Sequence, residues 1–159
     1  LAELAAPFDM VSVALSKGLG CPVGSLVAGR EADIARARRA RRMFGGAMRQ
    51  SGILAAAGLY ALDHNMTRLA EDHANARILA ERLVGTRARI DLATVQSNIV
   101  IFQLPPALPD AAAIVRAAQE RGVLVSAFAA RTVRAVTHLN VSEAQCRHAA
   151  DVLASIIGN

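Results

Sequence analysis

The segment LSKGLGCPVGS, residues 15–25, places one lysine between an apolar run and a glycine-rich turn. Lys17 is the only lysine in the chain. The run MVSVALS (10–16) precedes it and GSLVAG (24–29) follows, and turn-forming residues bound both runs. Short apolar runs of this kind predict buried strands, and the glycines between them predict a tight connection. Lys17 is therefore expected at the end of a buried strand.

Two roles are open for Lys17 on the residues alone. A charged ammonium near a buried strand end is costly unless it is paired. Burial favours the neutral amine, which attacks carbonyl groups and in many enzymes forms an imine with pyridoxal 5'-phosphate. The nearby glycines would let a planar ring approach the backbone, and Ser16 could donate a hydrogen bond to a phosphate. The commoner alternative is a hairpin lysine that points to solvent. A P-loop does not fit, because its glycines precede the lysine.

The composition predicts a globular domain with a substantial core. The chain has 159 residues, of which 53% are hydrophobic and only 19% are charged. It contains no apolar run of about 20 residues, so no transmembrane helix is predicted. Its start, LAELAAPFDM (1–10), lacks the pattern of a signal peptide and has no initiator Met. We therefore expect the chain to begin inside a larger protein.

The basic run IARARRARRM (34–43) supplies much of the net charge of +5. Alone it could be a nucleic-acid or membrane patch, but a solvated helix face or a phosphate-binding region is the more frequent role of such a run. Aromatic residues make up 3% of the chain and Trp is absent, which counts against base-stacking surfaces. We therefore expect neither nucleic acid nor a membrane as a partner. Cys21 and Cys146 belong to no motif and favour free thiols, with a disulfide left open.

The first part of the chain also predicts three helices. One spans residues 31–43 and stops at two glycines. The second, residues 48–64, is apolar on all sides and is expected to be largely buried. The third runs from residue 66 to Gly85 with Asn65 as its N-cap. Its predicted apolar stripe consists of Met66, Leu69, His73, Ala76, Ala80 and Leu83.

The remaining residues follow a β-α-β-β-α pattern. Strands are predicted at 94–104, 123–128 and 131–139. Asp110 is expected to cap a helix that ends at Gly122, and Ser142 with Gln145 forms a capping box for the last helix. This order of elements is typical of a small α+β domain.

Four blocks of the sequence resemble the L-threonine aldolase family. They are SKGLGCPVGSLVAG (16–29), RARRARRMFGGAMRQSGILAAAGLYALDHN (36–65), RLAEDHANARILAERL (68–83) and VRAVTHLNVS (133–142). These are pyridoxal-phosphate enzymes of the aspartate-aminotransferase fold, known as fold type I, and the chain resembles their C-terminal half. The resemblance implies an α/β fold in which residues 1–65 belong to the cofactor-binding large domain. Residues 66–85 would form a connecting helix, and residues 86–159 the small α+β C-terminal domain.

The resemblance also implies roles for individual residues. Lys17 matches the catalytic lysine that forms the imine with the cofactor. Arg49 matches an arginine that helps hold the cofactor phosphate from a neighbouring subunit, and helix starts favour anions. Arg134 matches the arginine that grips the substrate carboxylate, which suits its forked geometry. Without the resemblance, Arg49 would be a surface arginine and Arg134 a strand-edge charge. Ala47 replaces a family glycine and would cost ~1 kcal/mol if a positive φ were required there.

The implied reaction is retro-aldol cleavage of L-threonine or L-allo-threonine to glycine and an aldehyde. The implied protein is a cytoplasmic homo-oligomer, a dimer or a tetramer, or a chain paired with its missing half. The family's partner of the pyridine nitrogen, its ring-stacking histidine and the base for the substrate hydroxyl lie upstream of residue 1. The four histidines show no metal-ligand spacing, so no metal is predicted. His73 is expected in a core or an interface, and His138 lies near Arg134 in sequence.

Three alternatives stay open. The chain could belong to another fold type I lyase that acts on a different β-substituted amino acid. It could be an inactive fragment with the right fold elements. It could also be a basic module that binds nucleic acid through residues 36–42.

Overall fold

The computed structural model describes residues 2–158 and divides into two compact units, Leu1–Thr67 and Arg68–Asn159. The first unit contains α1 (Ala2–Ala5), β1 (Met10–Ala14), β2 (Ser25–Gly29), α2 (Glu31–Met43) and α3 (Gly52–His64). The second contains α4 (Leu69–Val84), a 3₁₀ turn (Leu92–Thr94), β3 (Ile99–Gln103), α5 (Ala111–Gln119), β4 (Ser126–Ala129), β5 (Thr132–Val136) and α6 (Glu143–Ile157). None of the helices described has the length and apolar character that a membrane span requires.

An antiparallel hairpin forms the centre of the first unit. β1 pairs with β2 from Met10 opposite Gly29 to Ala14 opposite Ser25. Both predicted strands are therefore present, the first one shorter than expected. Their burial was predicted wrongly, since no residue of the two strands is buried and Val11 alone among them is half-buried. The described residues place only a loop and a helix beside this hairpin, which leaves its faces uncovered.

Helix α2 has the bounds that the sequence predicts, and Gly45 follows it with a φ of 74°. Helix α3 begins four residues later than predicted. Its expected burial is wrong: only Gly58 and Ala61 are buried, whereas Leu59 is 63% exposed and Tyr60 62% exposed. A helix that is apolar on all sides is stable only when other elements bury its surface. Within the described part of this unit, however, only the hairpin loop covers it.

The second unit has a complete hydrophobic core. Its antiparallel sheet has the order β3-β5-β4, and α4, α5 and α6 supply the other side of the core. Alternation along β3 and β5 is clear, because every second residue is buried. The large apolar side chains that are fully buried are Phe102, Leu83, Ile114, Leu153, Ile157, Val100 and Val133. The predicted β-α-β-β-α order is confirmed.

Local signals at the helix ends of the second unit were predicted correctly. The Asp110 carboxylate accepts a hydrogen bond from the Ala113 N–H at 2.8 Å, which caps α5. Ser142 and Gln145 exchange the two hydrogen bonds of a capping box at the start of α6. Each bond satisfies a backbone group that a helix end leaves without a partner.

Helix α4 differs from its prediction at its start. Asn65 does not cap it but ends α3, and α4 begins after Arg68. His73 is exposed and Asp72 is buried in its place. Arg68 explains this shift, because its Nη2 donates to the Asp72 Oδ1 at 2.7 Å and makes burial of that carboxylate tolerable. Helix α4 belongs to the second unit, because it packs against α6 and β3.

Candidate active site

Hydrogen bonds within the loop between β1 and β2 fix the backbone around Lys17. Leu15 donates its N–H to the Gly24 carbonyl at 3.0 Å and accepts from the Cys21 N–H at 3.1 Å. The Lys17 carbonyl accepts from the Gly20 N–H at 2.9 Å. Gly20 and Gly24 have φ angles of 74° and 121°, which side-chain-bearing residues rarely adopt. These two glycines let the chain reverse twice within a short loop.

The same loop is anchored on helix α3. Leu15, Leu19 and Cys21 are only 6%, 6% and 7% exposed. Asn65 Nδ2 donates to the Leu19 carbonyl at 2.7 Å, and the Cys21 thiol lies 3.5 Å from the Ala57 carbonyl oxygen. The loop therefore has an internal hydrogen-bonded frame and a second set of contacts with a helix about 40 residues away in sequence.

A glycine of α3 receives the buried leucine of the loop. A Cβ built on Gly58 would lie 3.5 Å from Leu15 Cδ1, an ordinary van der Waals distance. Gly58 thus brings the helix backbone close to the loop without being forced to be glycine. The buried positions of the loop flank Ser16 and Lys17, which are both exposed. The result is a lysine on a fixed backbone with its amine accessible.

This environment distinguishes between the two positions that the residues left open for Lys17. The described residues of its unit bury its neighbour Leu15 and leave the lysine side chain exposed, as in a hairpin lysine that points to solvent, and they do not desolvate it. In the apolar run that precedes Lys17, the buried residue is Leu15, and burial does not extend to the lysine. The loop around the lysine is held by its own hydrogen bonds and by contacts with α3.

Arg49 lies in the turn between α2 and α3. This turn folds back on α2, because Gly46 donates its N–H to the Arg41 carbonyl at 2.8 Å. Gln50 has a φ of 53° and is the non-glycine residue with a positive φ in the described part of the chain. That conformation costs a side-chain-bearing residue roughly 1–2 kcal/mol. The strain expected at Ala47 is absent there and lies instead beside Arg49.

Arg49 and the Lys17 loop meet different parts of α3. The arginine is exposed and precedes the first residue of the helix, Gly52, where backbone N–H groups lack helical partners. The loop contacts the helix from Ala57 onward. Six residues from Gly52 to Gly58 correspond to roughly 9 Å along the axis. The first unit therefore presents the two predicted cofactor residues at separate levels of one helix.

Arg134 occupies the central strand of the second unit's sheet. It is paired with Ile101 of β3 and Ser126 of β4. Its neighbours Val133 and Ala135 face the core, so Arg134 stands on the opposite face, where it is half-buried. Its Cζ lies 5.6 Å from the centroid of the Phe128 ring. Among residues 2–158 no carboxylate lies within ion-pair distance of it, and its buried Nε has no acceptor.

The surroundings of Arg134 are apolar. Ile99, Ile101 and Val136 share its sheet face, and each is about 40% exposed. A guanidinium in such surroundings binds a carboxylate with two hydrogen bonds more strongly than it would in open water. The arrangement provides a cationic anchor for a small anion. His138, which was predicted near it, uses its Nδ1 to accept the Asn140 N–H at 3.2 Å in a turn.

Both cysteines are free and buried. Burial, with lesser contributions from the Asp72 and Glu143 carboxylates, raises the pKa of the Cys146 thiol. That thiol therefore stays protonated and unreactive at neutral pH. No cluster of three or more His, Cys, Asp or Glu side chains in the described residues is arranged to hold a metal ion.

Several residues of these sites had no recognisable sequence signal. The anchoring set of Leu19, Cys21 and Asn65 depends on contacts between distant parts of the chain. Phe128 offered a weak signal, because the chain contains only four phenylalanines and this one lies next to a predicted strand end. Such an exposed aromatic in an aromatic-poor sequence is worth testing for contact with a cation.

Comparison with known proteins identifies relatives of both units. The low specificity L-threonine aldolase of Escherichia coli O157:H7 is 47% identical over 145 residues, which make up 91% of this chain and 42% of that protein. Low-specificity L-threonine aldolase 1 of Arabidopsis thaliana is 37% identical over 84% of this chain and 38% of its own length. The resemblance to threonine aldolases is therefore confirmed. The chain spans about two fifths of these relatives.

The fold also has solved counterparts. A high-resolution structure of SPT with PLP superposes with a TM-score of 0.75 at 22% identity, covering 96% of this chain and 40% of that one. The predicted fold, the C-terminal part of a fold type I α/β protein, is confirmed by such neighbours. Residues 1–105 match the family model described as Beta-eliminating lyase. By this match over most of its length, the chain belongs to the beta-eliminating lyase family.

Proposed function

We propose that this chain is part of a pyridoxal-phosphate-dependent lyase that cleaves L-threonine and L-allo-threonine to glycine and an aldehyde. The observation that carries the proposal is the anchored loop of Lys17, in a chain 47% identical to a low specificity L-threonine aldolase. A lysine that must hold a cofactor in one orientation needs a fixed backbone and a free amine. The loop supplies both.

Three features of the first unit support a role in holding pyridoxal 5'-phosphate. Lys17 would hold the aldehyde carbon of the cofactor covalently, and the hydroxyl of Ser16 would donate to its phosphate. Gly18 and Gly20 leave the backbone beside the lysine free of side chains, which would let a flat ring approach it closely. When bound, the cofactor supplies an electron sink for the carbanion that forms as the Cα–Cβ bond breaks.

Arg49 is proposed to bind the cofactor phosphate of a neighbouring subunit. Two observations support this role in a homo-oligomer. Arg49 and the Lys17 loop lie at different levels of α3, and most of the apolar surface of that helix is exposed. A dimer or tetramer would cover that surface and bring a second arginine to each lysine.

Arg134 is proposed to bind the substrate carboxylate. No carboxylate of the described residues pairs with its guanidinium, and the apolar sheet face around it would strengthen a charge-assisted hydrogen bond to a ligand. By fixing the carboxylate, Arg134 would orient the substrate so that the bond to be broken faces the ring. We assign the base for the β-hydroxyl proton and the partner of the pyridine nitrogen to none of the described residues.

A coupled assay tests the proposed reaction. The purified protein, supplied with pyridoxal 5'-phosphate and L-threonine, should release acetaldehyde, which alcohol dehydrogenase reduces with a measurable loss of NADH. Lys17→Ala should lose the activity, and Arg134→Lys should raise the KM more than it lowers kcat. Acetaldehyde release by Lys17→Ala at the rate of the unaltered protein would contradict the proposal.

A second candidate is a lyase that eliminates a β-substituent from another amino acid. The family description, Beta-eliminating lyase, favours it for residues 1–105. A panel of β-hydroxy and β-substituted amino acids separates the two functions, since glycine forms only in the aldol cleavage and pyruvate and ammonia form only in β-elimination from serine-like substrates.

A further inference from the structure

A β-bulge interrupts the pairing of β4 with β5. Ser126 lies opposite Arg134 and Ala127 opposite Val133, but the next pair joins Ala129 to Thr132. Phe128 is therefore the extra residue and has no partner on β5. A bulge of this kind bends the strand and redirects the side chain of the extra residue. Bulges are frequent where a side chain must reach a binding site.

The bulge places the Phe128 ring against the guanidinium of Arg134. The distance of 5.6 Å from Cζ to the ring centroid lies within the range of an attractive cation–π contact. The ring itself is 60% exposed, so it contributes little to the core of the unit. An exposed phenylalanine that contacts a cation is better explained by that contact than by packing.

A nearby arginine shows what a purely structural arginine does in the same hairpin. Arg131 donates from Nε to the Leu104 carbonyl at 3.0 Å and from Nη2 to the Leu108 carbonyl at 2.8 Å. Its guanidinium fixes a loop. Arg134, three residues later, has a buried Nε with no acceptor and a ring against its face. Its Nη1 and Nη2 make no hydrogen bond with the described residues, so these two groups, and not the buried Nε, are left for a ligand.

We propose that Phe128 is a positioning residue: its ring, redirected by the bulge, holds the Arg134 guanidinium so that its two Nη groups face an incoming carboxylate. This proposal rests on the carboxylate-binding role proposed for Arg134. The contact restricts the rotamers of a long side chain before the ligand arrives, and less conformational freedom is then lost on binding.

Nuclear magnetic resonance of the arginine Nε–H groups tests the proposal on the whole chain. The Arg134 signal is assigned as the one that Arg134→Lys removes. It is followed during titration with glycine, and with glycinamide as the ligand without a carboxylate. The variants are Phe128→Leu, which keeps an apolar side chain without a ring, and Phe128→Tyr, which restores the ring. Leu124→Ala alters another exposed apolar side chain of this unit and serves as the control.

The proposal predicts an upfield ring-current shift of the Arg134 Nε–H signal that Phe128→Leu abolishes and Phe128→Tyr restores. Glycine should bind about two- to five-fold more weakly to Phe128→Leu, because the Arg134 side chain then loses more rotamer freedom on binding. The Tm should fall slightly in Phe128→Leu, which loses the cation–π contact, and stay unchanged in Phe128→Tyr and Leu124→Ala.

Each failure has its own meaning. An Arg134 signal that does not move in Phe128→Leu overturns the positioning role, whether or not glycine binds. Equal glycine affinity in Phe128→Leu and the unaltered protein, with affinity lost in Arg134→Lys, also overturns it but leaves the role of Arg134 intact. Glycine binding that survives Arg134→Lys contradicts the proposed function itself.

Discussion

The two units use their buried residues for different purposes. In the second unit the buried side chains form one core between a sheet and three helices, with Phe102, Val133 and Leu153 fully buried. In the described part of the first unit the buried residues are Leu15, Leu19, Cys21, Gly58 and Ala61. Four of them, Leu15, Leu19, Cys21 and Gly58, lie in or against the lysine loop. The second unit thus has a closed hydrophobic core, whereas the few buried residues of the described first unit cluster around one loop.

The largest expected effect breaks the core of the second unit. Phe102→Ala should lower the free energy of unfolding by about 3–5 kcal/mol, because a fully buried ring is replaced by a cavity. Leu59→Ala in the first unit is the matched control, since that leucine is 63% exposed and should change stability by less than about 0.5 kcal/mol. Denaturation followed by circular dichroism measures both. Similar losses in the two variants would contradict the contrast between the units.

The next largest effect is a loss of local stability in the lysine loop that leaves the second unit unchanged. Leu15→Ala removes the side chain that contacts α3 at Gly58 and should cost about 2–3 kcal/mol of local stability. Amide hydrogen exchange should accelerate in residues 15–24 and stay unchanged in β3 and β5 of the second unit. Faster exchange in both units would mean that the loop is not an independent element.

A smaller effect concerns the turns of the loop. Gly24→Ala forces a side chain into a φ of 121° and should destabilise the hairpin by about 1–2 kcal/mol. Gly58→Ala is the comparison, because its Cβ finds ordinary contact distance and alanine favours a helix. It should be neutral or stabilising by up to about 1 kcal/mol. Thermal unfolding of both variants measures their relative stability. A Gly58→Ala variant less stable than the unaltered protein would contradict the packing described.

The smallest effect is a pH dependence confined to the second unit. The folded pKa of Cys146 is raised by burial, so the protonated thiol stabilises the native state fully below the ordinary thiol pKa of about 8.5. That contribution should be lost as the pH rises through the folded value. The Tm of the unaltered protein should therefore fall more between pH 8 and pH 10.5 than that of Cys146→Ala. An equal fall in Tm for the unaltered protein and Cys146→Ala would show that Cys146 does not cause the pH dependence.

The second unit could be predicted well because its signals are local. Alternation in β3 and β5, the cap at Asp110 and the capping box at Ser142 each lie within a few residues of the element that they define. Strand ends were less accurate, since the predicted runs continue into loops where pairing has stopped. The bulge at Phe128 shifts the register without any change in the apolar pattern.

The first unit could be predicted only in part. Its hairpin and α2 follow from glycines and periodicity, and Lys17 stands out as the only lysine. The burial of α3 was predicted wrongly, because its apolar composition indicates that its surface is buried against something but not which chain provides the contact. Asn65 looked like an N-cap, yet its side chain bonds to Leu19, 46 residues away. Such a long-range contact leaves no periodic trace in the sequence.

The central claim is that an anchored loop presents Lys17 for covalent attachment of pyridoxal 5'-phosphate. Reduction with borohydride after incubation with the cofactor, followed by peptide mass analysis, tests it most directly. We predict a pyridoxyl adduct on the peptide that contains Lys17, at similar yield in Gly58→Ala and at much lower yield in Leu15→Ala. An adduct confined to the N-terminal amine, or an equal yield in Leu15→Ala, would contradict the claim.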